Sequence, residues 1–80
     1  MIVSQNVTPK NSLYVIGANL IRIMSVKKNI NYDLIFLHQQ YKKLYNKNIS
    51  INNILYGLDW LYLLNIVSYN EEKGLIQKCF

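Results

Sequence analysis

This 80-residue sequence predicts three helices followed by a β-hairpin, a mostly α chain in the order of a winged helix-turn-helix domain. Three observations lead there. Apolar residues recur at helical spacing in three blocks, each preceded by a residue able to cap a helix. Ile66-Val67-Ser68-Tyr69 and Leu75-Ile76-Gln77-Lys78 read as strands, with Asn70–Gly74 as the turn between them. The length suits one domain, so residues 1–80 are read as a single winged-helix-like unit, with 1–8 a loosely ordered N-terminal arm.

Thr8-Pro9 opens the ordered region, and Asn11 or Ser12 is placed to cap the first helix. Leu13, Ile16, Leu20, Ile23 and Met24 then form one stripe, predicting a helix over 12–26. Gly17 lies beside that stripe, where a second helix could approach closely. Lys27-Lys28-Asn29 is a polar break whose cations suit a helix C-terminus. Ile30 offers a residue of extended pairing, and Asn31 is expected to cap a second helix over 32–46, with Asp33 in its positive first turn.

The buried face of that second helix is expected to be Leu34, Leu37, Tyr41, Leu44 and Tyr45, opposite Gln39, Gln40, Lys42 and Lys43. Asn46-Lys47-Asn48 forms a turn. Ser50 caps a third helix reaching to about residue 65, with Ile51, Ile54, Leu55, Leu58, Leu61 and Tyr62 as its core stripe.

So short a chain buries only roughly 60–65% of its unfolded surface. Apolar residues make up 51% of it and charged residues 16%, against roughly 25% charged in an average globular chain. An oily small domain either exposes apolar surface or covers it with a partner, the first sign of a subunit. Cys79 is the single cysteine, so no internal disulfide staples the fold, which fits a reducing cytoplasm. Met1–Lys10 lacks the pattern of a signal peptide, and Ile54–Leu64 is far short of a membrane span.

The residues that carry chemistry elsewhere are ordinary here. His38 and Cys79 stand 41 positions apart without a carboxylate partner, so no metal set is expected. His38 reads as a core-edge residue and Cys79 as a plain thiol. Glu71 and Glu72 occupy an exposed turn and do not form an acid–base pair. Asp59 sits at the boundary between helix faces, as a solvated or hydrogen-bonded group. Three scattered glycines build no phosphate loop. Neither an enzyme nor a cofactor is expected.

A winged helix raises DNA binding, but the charges argue against the usual docking. Net charge is +5, yet residues 1–50 hold seven Lys or Arg against Asp33 alone, while residues 51–80 are net −1. The third helix, which would enter the major groove, contains no Lys or Arg, and only Asn52 and Asn53 could reach base edges. The hairpin tip would face phosphates with Glu71 and Glu72. Any DNA contact is expected to be weak, non-specific and carried by Lys27, Lys28, Lys42, Lys43 and Lys47. A small DNA-binding transcriptional regulator is the alternative reading.

Tyr56, Trp60, Leu63 and Leu64 gather opposite the core stripe of the third helix, the first three at i, i+4, i+7 spacing. Tyr14, Ala18, Ile21 and Arg22 form a second stripe on the first helix, and the second helix offers Ile35 and Phe36. These either complete a crowded core or form a docking surface of the residue types enriched at interface hot spots.

Two stretches carry a family likeness. Thr8-Pro9-Lys10-Asn11-Ser12-Leu13 through Gly17-Ala18, then Leu58-Asp59-Trp60-Leu61-Tyr62-Leu63-Leu64-Asn65-Ile66-Val67, resemble the small middle components of bacterial ABC-three-component systems, relatives of the Lamassu-type defence systems. The likeness spans residues 8–76, with Asn65 where a glycine is common. It implies a large ABC ATPase of the SMC-like type and an effector subunit as partners. It also implies a non-catalytic adaptor role in defence against phages or plasmids. Homodimerisation is a further expectation, and no membrane partner is expected.

Overall fold

The computed structural model describes residues 12–26 and 28–80. Helix α1 spans Leu13–Val26. Of the two offered caps, Ser12 serves: its hydroxyl accepts the Val15 N–H at 3.2 Å and its carbonyl the Ile16 N–H at 2.9 Å. Asn11, Thr8-Pro9, the expected arm 1–8 and Lys27 lie outside the described residues. At the other end of α1 the Met24 carbonyl accepts from the Tyr32 hydroxyl at 2.9 Å and from Lys78 Nζ at 3.0 Å. A cation bonded to this helix end thus arrives from the last strand, 54 residues along the chain.

Strand β1, Asn31–Tyr32, follows. The expectation that Asn31 caps the second helix is corrected here. Tyr32 is buried and pairs with Ile76, so the backbone stays extended through it, and Asn31 is a strand residue opposite Gln77. Asp33 takes the capping role: its Oδ1 accepts the Ile35 N–H at 2.8 Å and its carbonyl the Leu37 N–H at 3.1 Å.

Helix α2, Leu34–Leu44, is shorter at both ends than 32–46. Leu37 and Tyr41 are buried as expected, but Leu44 and Tyr45 are exposed. They continue the same stripe one turn past the body of the protein, where Ile49 from the following turn fills the core instead. The Tyr45 ring lies against Tyr41 with centroids 5.2 Å apart.

Helix α3, Ile51–Leu63, starts at Ser50, whose hydroxyl accepts the Asn53 N–H at 3.2 Å. Ile54, Leu58 and Leu61 are buried, Ile51 and Leu55 half-buried. Tyr62 is exposed, a second correction to the core stripe; its ring rests 5.1 Å from that of Tyr69. The helix closes with Ile66 N–H bonded to Leu61 O and Asn65 N–H to Tyr62 O, the paired bonds of a Schellman turn. Asn65 adopts φ 62°, a left-handed conformation that asparagine, after glycine, adopts more readily than most residues.

Strands β2, Val67–Asn70, and β3, Leu75–Lys78, form the hairpin, with Val67 opposite Lys78 and Asn70 opposite Leu75. Gly74, at φ +63°, closes the turn, and Asn70 Oδ1 accepts the Lys73 N–H at 3.2 Å. The antiparallel sheet runs β1-β3-β2. Three helices and a C-terminal hairpin are the predicted winged-helix-like arrangement, with β1 joining the wing to the gap between α1 and α2.

Candidate partner-docking surface

Helices α1 and α3 share the largest helix–helix contact, and two glycines set how closely they meet. A Cβ on Gly57 would stand 2.5 Å from Ile16 Cγ2 and 3.2 Å from Leu20 Cδ1. A Cβ on Gly17 would stand 3.2 Å from Trp60 Cδ1 and 3.3 Å from Leu61 Cδ2. Gly17 was legible as a close-approach position. Gly57 was not, although its place on the core side of α3, between Ile54 and Leu61, carried the signal.

The close crossing decides where the outer residues go. Trp60 is not a free ridge residue: it is half-buried, packed against the core over Gly17. This corrects the placement of Trp60 wholly on the face away from the core. Tyr56 is 56% exposed and Leu63 74% exposed, and Leu64 is also exposed. On α1, Tyr14 is 72% exposed and Arg22 exposed, whereas Ile21 packs partly against the core. Helical spacing puts Tyr14, Ala18 and Ile21 on the same side of α1 as Gly17. The indole of Trp60 therefore forms the floor between an α1 stripe and the Tyr56–Leu63 ridge of α3.

The α2 candidates divide. Ile35 is exposed, while Phe36 turns onto the core and its ring lies 6.3 Å from that of Tyr32. Phe36 is half-buried against the core and so takes the crowded-core alternative.

Of the cationic candidates, Lys28, Lys43 and Lys47 are exposed and Lys42 half-buried. Lys42 and Lys43 lie in the last turn of α2, where they complement its dipole. No Lys or Arg stands on α3, and Asn52 is its exposed amide.

The titratable residues have structural roles. His38 Nε2 donates to the Ile49 carbonyl at 3.0 Å, holding the turn before α3. Asp59 accepts a 2.9 Å hydrogen bond from the Tyr69 hydroxyl, tying α3 to β2. Burial, then the Asp59 hydrogen bond and charge, push the Tyr69 hydroxyl up to about 12. Cys79 is exposed. Among the described residues no group of three metal-ligating side chains occurs, and no helix is long and apolar enough to cross a membrane.

Residues 2–79 match the family model described as ABC-three component (ABC-3C) system Middle Component 6. The chain belongs to this family. No curated protein and no solved structure matches it. The match covers both stretches that carry the sequence likeness, and the chain is thereby a middle component of a multi-subunit system. The α1–α3 face of this middle component carries exposed Tyr14, Tyr56 and Leu63.

Proposed function

We propose that this middle component is a non-catalytic, cytoplasmic adaptor that links a large SMC-like ABC ATPase to an effector subunit in an anti-phage or anti-plasmid defence complex. The observation that carries the reading is the α1–α3 face. Tyr14, Tyr56 and Leu63 are all more than half exposed around the Trp60 floor, and α3 brings no cation to it. Exposed apolar patches rimmed by polar groups mark protein contact sites. The same face is poorly suited to DNA, because phosphate neutralisation needs cations that α3 lacks. Co-expression of the three subunits with a tag on the ATPase tests the proposal. The account expects the middle component to be retained at fixed stoichiometry. Recovery of the ATPase and effector together without it would contradict the account.

A further inference from the structure

A second apolar surface lies away from the α1–α3 face. A cleft of about 240 Å³ opens between the start of α2, the middle of α3 and the hairpin. Its walls are Leu34, Leu55, Tyr69, Leu75 and Ile76, almost wholly apolar, and Glu71 stands in its lining. The chemistry around it is unusual for this chain. Its net charge is +5, yet α3 and the hairpin, which border the cleft, hold three of its four carboxylates, Asp59, Glu71 and Glu72, against Lys73 in the turn and Lys78 at the far end of β3. Glu71 lines the cleft, Glu72 follows it in the hairpin turn, and Asp59 accepts a hydrogen bond from Tyr69 of the cleft wall. Glu71 and Glu72 are exposed, with Lys73 after them in the turn, so the turn is net negative.

We infer that this cleft is a second docking site, and that it receives an apolar side chain from a basic segment of a partner polypeptide. The apolar walls remove a side chain such as leucine from water, which is favourable in proportion to the apolar area buried. The acidic rim selects the flanks: lysine or arginine beside the anchor meets Glu71 and Glu72, whereas acidic flanks are repelled. Nucleic acid is the wrong charge for this rim. This inference goes beyond the adaptor reading and does not rest on it, since the cleft and its rim share no residue with the α1–α3 face.

The test is nuclear magnetic resonance titration of the isotope-labelled protein with two synthetic peptides. Both carry one central leucine; one has lysine flanks, the other glutamate flanks. The lysine peptide should shift the amides of Leu55, Tyr69, Glu71 and Leu75 and bind about tenfold more tightly than the glutamate peptide, the scale of a few surface ion pairs. Added salt should shrink that preference. The double substitution Glu71→Gln and Glu72→Gln, at exposed turn positions, should abolish it while leaving the spectrum of the free protein dispersed as before. Equal binding of the two peptides, or shifts confined to residues outside the cleft, would overturn the inference. So would no shift from the lysine peptide at millimolar concentration.

Discussion

Trp60 rests on Gly17. The indole Cδ1 lies where a side chain at that position would reach it, 3.2 Å from an ideal Cβ, so the absence of a side chain on α1 is what lets the ring lie down. Trp60 is thus both a packing residue and the floor of the exposed face. Trp60→Ala should cost about 1–3 kcal/mol of folding stability, below the roughly 3–5 of a fully buried tryptophan. Urea unfolding measures it. A cost near zero would return Trp60 to the fully exposed ridge predicted from helical spacing alone.

Gly57 and Ile16 make the tighter contact. A methyl group on Gly57 would meet the γ-methyl of a buried β-branched side chain at 2.5 Å, and that side chain has little rotamer freedom with which to yield. Gly57→Ala should therefore destabilise by about 1–3 kcal/mol despite the roughly 1 kcal/mol that alanine gains in helix propensity. Gly17→Ala meets its neighbours at 3.2 and 3.3 Å and should cost less. Reversal of that order in chemical unfolding would contradict the crossing geometry.

At Asn65 the left-handed φ of 62° ends α3 and turns the chain into β2. Asn65→Gly should stabilise the domain by up to about 1 kcal/mol, and Asn65→Val should destabilise it by about 1–2 kcal/mol. Melting temperatures of the two variants should move in opposite directions.

The Tyr69–Asp59 link predicts a pH dependence. The Tyr69 hydroxyl is held up to about 12 against an ordinary 10.0, so between those values the folded state keeps a proton that the unfolded state has lost. The stability this contributes is full below pH 10 and declines as pH rises toward 12. Absorbance titration should show a late-ionising tyrosine missing from Tyr69→Phe. In Asp59→Asn its titration should move down, yet stay above the ordinary value because burial is the larger cause.

Element order and the three-helix core were legible because they rest on local periodicity and capping chemistry. Ser12 and Ser50 act within three residues of themselves, and the stripe Ile54, Leu58, Leu61 repeats with the helix. What escaped depends on contacts distant in sequence. Asn31 has the chemistry of a cap, but pairing of its neighbour Tyr32 with Ile76 draws it into the sheet. Leu44 and Tyr45 keep the right spacing but overrun the body they would pack against. Lys78 finds the Met24 carbonyl only because β3 lies beside β1. The candidate surface was half legible: wheel geometry locates Tyr14, Tyr56 and Leu63, but not which aromatic the glycine notch takes in.

The central claim, that the α1–α3 face docks another subunit, is tested most directly at Leu63, which is 74% exposed. Leu63→Asp should leave the melting temperature of the isolated chain nearly unchanged, since exposed positions tolerate substitution within about 0.5 kcal/mol. In the co-expressed system the same change should weaken retention by the tagged ATPase, on the scale of about 2 kcal/mol for an interface anchor. Full retention of a stable Leu63→Asp chain, with the same outcome for Tyr14→Asp, would contradict the account.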